Sequence, residues 1–314
     1  MNQERIKLFI ILSQALGLLV TLICSFLGGI YIFNGQWLFA FPVSLLFVIA
    51  LYYLVIYFCN EKEKKKKRGY PPAFYYLFGV YALLSVAASV FVLHFFNVEI
   101  NEKKTIQELG LKKIAGLKTL YKEYDDNYTT FLNQAELDIN RYLSDYKNYP
   151  TKRISIAQSL SVSPYNIDAA NLDAIFRNPP FSTGIKTQID LRRGIFKKFK
   201  ENLLKSSSSE AFIAKNEAII TGWDRFSIVN SIQDLNGRVT ADYDALNNKL
   251  VDKINPSFAI TSFSPQLYAE ESLINHPLDL ATKHLGPISL LVLLLFQFLV
   301  LLPYFLTKGK IYGR

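Results

Sequence analysis

Hydrophobic residues cluster in four long runs, and none of these runs contains Asp, Glu, Lys or Arg. The runs are Leu8–Phe33, Trp37–Cys59, Pro72–Phe96 and Pro287–Leu306. A hydrocarbon core of about 30 Å requires about 20 apolar residues in a helix, and every run reaches this length. The pattern therefore predicts an all-α membrane protein with four transmembrane helices.

The four runs divide the chain into segments with different expected environments. The predicted segments are a membrane hairpin (1–59, with spans at 8–33 and 37–59), a basic cytoplasmic loop (60–71), a third span (72–96), a periplasmic helical domain (97–285), a fourth span (286–306) and a cytoplasmic tail (307–314).

Within residues 97–285, the spacing of apolar side chains predicts one long helix. These side chains recur every three or four residues from Leu117 to Tyr146, and Pro150 follows. This is the period of a helix with one buried face. The helix can continue directly from the third span, and Gly110 and Gly116 are candidate hinges.

Shorter patterns complete a mainly helical domain that we expect to pack as a bundle. Helices are predicted at 164–176, 183–204, 210–235 and 238–254. Asn236-Gly237 is interpreted as the stop between the last two helices. A brief alternation of polar and apolar residues at 153–157 is also compatible with a short strand.

The formal net charge of +9 lies almost entirely beside the spans. Residues 97–285 contain 24 basic and 23 acidic residues, whereas the rest of the chain contains 11 basic and 3 acidic ones. A protein that binds polyanions concentrates positive charge on a face of its soluble domain. The distribution argues against nucleic acid as a partner, and it matches the positive-inside pattern of membrane proteins.

The most basic segment sets the predicted orientation. We interpret six side chains between spans two and three as the topogenic signal: Lys62, Lys64, Lys65, Lys66, Lys67 and Arg68. Placing this loop in the cytoplasm leaves both termini in the cytoplasm and the large domain outside. The chain is rich in Lys, Asn, Tyr and Phe and poor in Met and Cys, which is typical of bacteria. We therefore expect a multi-pass inner-membrane protein with a periplasmic domain.

Residue types that carry catalysis or bind metals do not form a recognisable motif. The sequence has no G-x-S-x-G, H-E-x-x-H, P-loop or G-x-G-x-x-G pattern. Its two cysteines, Cys24 and Cys59, lie within span one and at the end of span two, and its three histidines are scattered. We therefore predict no enzyme activity, no catalytic residue, no cofactor, no metal and no disulfide in the large domain.

Two groups of side chains are candidates for contacts. Five basic residues lie close together in an otherwise neutral domain and can meet an acidic partner or anionic lipid, although a solvated helix face is the commoner reason for such a run. They are Arg192, Arg193, Lys197, Lys198 and Lys200. Four residues in the spans suit packing or hydrogen bonding between helices, including helices of an oligomer, although a flexible kink at the glycines and local or headgroup hydrogen bonds of the glutamines explain them equally well. They are Gly28, Gly29, Gln14 and Gln297.

The order of these segments resembles the TssN family, an inner-membrane component of the type VI secretion machinery of Bacteroidota. The shared features are a hairpin turning at Asn34-Gly35-Gln36, the inner loop Glu61–Arg68, a large domain between spans three and four, and a short basic tail. The resemblance covers the whole chain and rests on this arrangement. It implies a trans-envelope complex with other inner-membrane, periplasmic and lipoprotein partners, and no catalytic residue.

Two classes of function follow. The first is a non-catalytic structural subunit of an envelope-spanning complex, anchored by its spans and scaffolding through its helical domain. Its expected partners are membrane and periplasmic proteins and the lipid bilayer, and we expect it to form an oligomer. The alternative is a membrane-bound sensor of a periplasmic ligand that works through a separate cytoplasmic output partner.

Overall fold

The computed structural model describes residues 3–162, 165–177, 181–206, 208–268 and 270–306. Of these described residues, 87% are helical and none is in a strand. The predicted all-α class is confirmed at this level. The helices are α1 (Gln3–Ile32), α2 (Trp37–Arg68), α3 (Pro72–Phe96), α4 (Lys103–Asn148), α5 (Arg153–Ser161), α6 (Ala169–Arg177), α7 (Phe181–Leu204), α8 (Ser209–Gly222), α9 (Ile228–Lys253), α10 (Pro277–His284) and α11 (Pro287–Leu306).

Four of the described helices are long and apolar enough to cross a membrane. They contain Glu4–Ile32, Trp37–Lys62, the stretch that begins at Pro72, and Ser289–Leu306. Leucine and phenylalanine side chains on these helices are exposed, as expected where lipid tails replace water as the solvent. The four apolar runs of the sequence therefore coincide with four helices of spanning length.

Helical structure continues past the ends of the second and third runs. Helix α2 extends to Arg68 through the segment that was predicted as a loop, because Lys and Glu favour helix where no Gly or Pro intervenes. A π-helical segment at Asn97–Glu102 connects α3 to α4. From Pro72 to Asn148, where every residue is described, the backbone is helical throughout.

The chain divides into two compact units. One, which we call the span unit, contains residues 1–109, 222–232 and 271–314; the other, the helical unit, contains residues 110–221 and 233–270. Parts of the predicted domain at 97–285 thus pack with the spans. The chain passes from one unit to the other four times.

The core of the helical unit includes the aromatic seam predicted on α4. Tyr121, Tyr124, Tyr128 and Phe131 are all buried. The ring of Tyr128 stacks on that of Phe196 in α7, with centroids 5.5 Å apart and planes 5° from parallel. The three-four spacing of the sequence therefore identified the buried face of α4 correctly.

The glycines of α4 do not interrupt the helix. A Cβ atom at Gly116 would lie 2.6 Å from the ring of Tyr268. Glycine at this position allows the aromatic ring to approach the helix backbone, and the helix passes through Gly110 as well. The role of Gly116 is close packing and not a hinge.

Two local predictions were wrong. Residues 153–157 belong to helix α5 and not to a strand. The predicted stop at Asn236-Gly237 lies inside helix α9, and the chain breaks earlier, between Gly222 and Ile228. In this break the backbone of Trp223 has a φ of 52°, and the Asp224 side chain accepts a hydrogen bond from Phe226 N at 3.1 Å. At this break the side-chain turn takes the place of the backbone hydrogen bonds of a helix. Around Gly237 the helical backbone hydrogen bonds remain.

Candidate functional site

The span unit contains a largely buried carboxylate that joins three separate chain segments. Glu99, in the π-helical segment, accepts a hydrogen bond through Oε1 from Tyr31 Oη at 2.5 Å. The same oxygen accepts from Trp223 Nε1 at 3.1 Å and from Arg225 Nε at 2.5 Å. Tyr31 is near the end of α1, whereas Trp223 and Arg225 belong to the connection between α8 and α9. The Glu99 side chain is 10% exposed.

Three polar side chains of the π-helical segment contact two different parts of the chain. Besides Glu99, the segment carries Asn97, whose Nδ2 donates to Leu280 O at 3.2 Å, and Glu102. The carboxylate of Glu102 lies 2.7 Å from Lys283 Nζ and 2.5 Å from His284 Nε2. A π turn adds one residue to the helical repeat and so changes the direction of the side chains that follow. The segment binds residues 223–225 through Glu99 and helix α10 through Asn97 and Glu102.

The electrostatics of the Glu99 cluster favour a stable ion pair. The hydrogen bond with Glu99 raises the pKa of the Arg225 guanidinium, which therefore stays charged. The ammonium of Lys103 lies 5.2 Å from the centre of the Trp223 ring, which adds a cation–π contact. Because Glu99 Oε1 already accepts three hydrogen bonds, this oxygen is not poised as a base. The arrangement suits holding chain segments together.

The turn between α1 and α2 meets the same connection. Gly35 has a φ of 80°, which favours glycine, and a Cβ atom there would lie 2.1 Å from the carbonyl oxygen of Phe226. The segment 223–226 thus contacts the turn of the membrane hairpin as well as Glu99. Nearby, His94 Nε2 lies 2.9 Å from Ile274 O, which ties α3 to the segment before α10.

Both glycines that we selected for helix packing make close contacts within the chain. A Cβ atom at Gly28 would lie 2.0 Å from the carbonyl oxygen of Phe91 in α3. At Gly29 it would lie 3.1 Å from Ala40 Cβ in α2. These glycines allow α1 to approach α3 and α2 closely.

The glutamines selected with them are also placed among helices of the span unit. Gln297 Oε1 accepts from Tyr81 Oη at 3.2 Å, and Gln297 Nε2 lies 3.3 Å from Ser89 Oγ, so α11 is joined to α3. Gln14 is buried in α1. The contacts of Gln297 are made inside one chain, as interhelical hydrogen bonds in a membrane commonly are.

The basic segment after span two contacts the end of α11. Lys62 Nζ donates to the carbonyl oxygen of Tyr304 and lies 4.8 Å from the centre of its ring. Lys64 Nζ lies 2.6 Å from Glu61 Oε1. The side chains of the other four predicted topogenic residues, Lys65, Lys66, Lys67 and Arg68, lie outside the described residues.

The five basic residues selected in α7 do not form one patch. Lys200 is buried and pairs with Asp125 Oδ2 at 2.5 Å, so it belongs to the core of the helical unit. Arg192 is half-buried and donates to the carbonyl oxygen of Tyr165. The sequence spacing alone did not separate these two from their exposed neighbours.

The other three basic residues of α7 are exposed. Arg193 lies 3.2 Å from Asp190, and Lys197 lies 4.0 Å from Glu201, both in pairs along the helix. Lys198 is exposed as well. Exposed pairs of this kind are weak and contribute little to stability. Arg193, Lys197 and Lys198 are therefore accessible for contacts with a partner.

The Glu99 cluster was not found from the sequence. The only local signal in the sequence is the position of Glu99, an acidic residue within one helical turn of the end of the charge-free run Pro72–Phe96. Its partners lie far from it in the chain, Tyr31 before it and Trp223 and Arg225 after it, and they carry no motif. Among the described residues, no group of three or more His, Cys, Asp or Glu side chains is placed to hold a metal ion.

Comparison of the chain with protein-family models, with curated proteins and with solved structures gave no match.

Proposed function

We propose that this protein is a non-catalytic structural subunit of an envelope-spanning complex in a bacterial inner membrane. Its four spans anchor it, and its helical unit lies in the periplasm and binds other subunits. The arrangement of segments that resembles the TssN family points to a secretion machine of the type VI class. In this proposal the protein acts as an oligomer with inner-membrane and periplasmic partners.

The proposal is supported mainly by the contacts of the polar side chains in the span unit, which bind other segments of the same chain. Glu99, Glu102 and Gln297 each bind side chains of other segments of the same chain. Ion pathways and proton relays require ionisable groups inside the membrane that exchange partners. Here the contacts of Glu99 and Glu102 join residues next to the spans to chain segments that flank the helical unit. Such contacts are expected in a protein that anchors a domain to the membrane.

The continuous helical backbone from Pro72 to Asn148 also supports the proposal. An unbroken helix passes from the third span into the helical unit, which begins at Gly110. A scaffold benefits from such a connection because the helical hydrogen bonds continue along it.

The test is purification of a tagged full-length protein from its native membranes in mild detergent, followed by mass spectrometry. We expect stoichiometric recovery of other envelope proteins that are missing from a parallel purification of an unrelated tagged four-span protein. Recovery of a monomer with a bound metabolite and no protein partner would contradict the proposal and favour the ligand sensor.

A pair of variants locates the contact surface. Arg193→Glu with Lys198→Glu reverses two exposed charges of α7, and Lys112→Glu with Lys147→Glu makes the same change on α4. If α7 meets an acidic partner, the first pair loses that partner and the second retains it. Equal recovery with both pairs would place the partner on another surface.

A further inference from the structure

The helical unit contains a cavity of about 360 Å³ between α4, α6, α7 and α9. Phe131 of α4 and Phe196 of α7 contribute buried aromatic side chains to its wall. Leu191 and Ile195, one turn apart on α7, also line it and are 58% and 50% exposed. A volume of this size is typical of small-molecule sites, and the wall combines these four apolar side chains with a larger number of polar and charged ones.

The charges around this cavity are unequal. Among the described residues of the lining, Arg192, Lys249 and Lys253 are basic and Asp168 is the one acidic residue. Asp168 is already engaged, since its two oxygens accept from Asn171 N at 2.7 Å and from Asn171 Nδ2 at 2.8 Å. The cavity therefore presents an excess of positive charge to its contents.

Two of the three cations are held in place by the protein. Arg192 is half-buried and donates to the carbonyl oxygens of Tyr165 and Gln188. Lys249 Nζ lies 4.8 Å from the centre of the Phe199 ring. Cations that are already oriented lose less conformational freedom when an anion binds, so a preorganised site gains affinity.

We propose that this cavity binds a small organic anion with a flat apolar body, of the aromatic carboxylate class. The carboxylate meets Arg192 and Lys249, and the ring packs against Phe131 and Phe196. The binding site goes beyond the scaffold function, because neither the anchor nor a protein partner requires it. It gives the helical unit a means to respond to a metabolite.

The first test uses the full-length protein in lipid nanodiscs, with empty nanodiscs as the reference. Binding of 2-naphthoate is measured by ligand-observed NMR and compared with that of 2-naphthalenemethanol, which has the same ring system and no charge. We expect naphthoate to bind with a dissociation constant of about 1 mM or tighter, and the alcohol about ten-fold more weakly. Equal affinities, or no binding of naphthoate, would overturn the proposal.

The second test compares two double variants with the same change in charge. Lys249→Gln with Lys253→Gln removes cations of the cavity, whereas Lys186→Gln with Lys198→Gln removes exposed cations of α7 that do not line it. We expect the first variant to weaken naphthoate binding by about ten-fold and the second by less than about two-fold.

Each outcome of these tests decides the proposal. Equal weakening in the two variants would show general attraction to a basic surface and would contradict a specific site. Binding of an acidic peptide without binding of naphthoate would assign the cavity to a protein partner and would also contradict it. The comparison of acid and alcohol needs no substitution, so it decides the question even where a variant fails to fold.

Discussion

The guanidinium of Arg225 binds the carboxylate of Glu99 across 126 residues of sequence, with Nε and Oε1 2.5 Å apart. The Arg225 side chain is 42% exposed, and that of Glu99 is 10% exposed. The pair joins the π-helical segment that follows span three to the connection between α8 and α9. Both segments belong to the span unit, so this contact joins two distant parts of that unit.

Replacement of Glu99 tests the importance of this pair. Glu99→Gln removes the negative charge and leaves Arg225 without its ionic partner, so we expect a loss of about 2 kcal/mol of stability. The measurement is the thermal midpoint of the purified protein in detergent. The matched control is Glu108→Gln, because Glu108 forms an exposed pair with Lys104 at 3.8 Å. We expect that variant to change stability by less than about 0.5 kcal/mol.

A double-mutant cycle separates the pair from its surroundings. If Glu99 and Arg225 act together, the effect of Glu99→Gln with Arg225→Gln is smaller than the sum of the single effects. Strictly additive effects would mean that the two residues stabilise the protein independently.

The close approach of α1 to α3 predicts that Gly28→Ala is harmful. The new methyl group would lie 2.0 Å from the carbonyl oxygen of Phe91, so the helices must separate. We expect a loss of about 1–3 kcal/mol, measured as a lower thermal midpoint in detergent. Gly79→Ala in α3 is the control, because a Cβ atom there meets nothing within 4 Å. Similar losses in both variants would argue against a packing role for Gly28.

The position of Gly237 inside α9 predicts the opposite result for the same substitution. A Cβ atom there meets no neighbour within 4 Å, and alanine favours helix more than glycine does. We expect Gly237→Ala to stabilise the protein by about 0.5–1 kcal/mol. Gly116→Ala should destabilise it, because the Tyr268 ring occupies the space. If Gly237→Ala destabilises the protein, the explanation is wrong and Gly237 acts as a helix stop.

The buried carboxyl of Asp242 predicts a dependence of stability on pH. Burial raises the pKa of this carboxyl, and the hydrogen bond from Tyr121 Oη at 2.7 Å lowers it. The effect of burial is larger, so the pKa is raised. The folded protein therefore binds this proton more tightly than the unfolded chain, so the ionised form costs stability above the raised pKa. Asp242→Asn removes that cost, and the amide oxygen still accepts from Tyr121.

We expect Asp242→Asn to be more stable than the parent protein at pH 7. The advantage shrinks as the pH falls through the raised pKa and is lost below 3.8, the ordinary value for an aspartic acid, because the parent carboxyl is then protonated in both states. Thermal midpoints at several pH values measure the difference. Asp244→Asn, the same substitution at an exposed position of the same helix, is the control. A constant difference across this range would contradict the explanation.

Features that depend on local periodicity were predictable from the sequence. The four apolar helices follow from charge-free runs of spanning length, and the buried face of α4 follows from spacing. Both signals are repeated over 20 or more residues, so single exceptions do not hide them. For Gly28 and Gly29 the residue type left close packing and a flexible kink as equal alternatives, and only the contacts with Phe91 and Ala40 distinguish them.

Features that depend on contacts between distant segments were not predictable. Glu99 acquires its role when Tyr31, Trp223 and Arg225 reach it, and none of these partners is near it in sequence. Lys200 was grouped with its neighbours in α7, yet its pairing with Asp125 buries it. The break before α9 is decided by a turn at Asp224, whereas Asn236-Gly237 is the stronger stop signal by residue type.

The central claim is that the four spans orient the chain so that the helical unit lies outside the cytoplasm. The most direct measurement is alkaline phosphatase activity in bacteria that express fusions of this enzyme after Ser206 or after Lys64. Phosphatase folds only after export, so the account predicts an active fusion at Ser206, in the helical unit, and an inactive one at Lys64, in the basic segment. An inactive fusion at Ser206 together with an active fusion at Lys64 would contradict it.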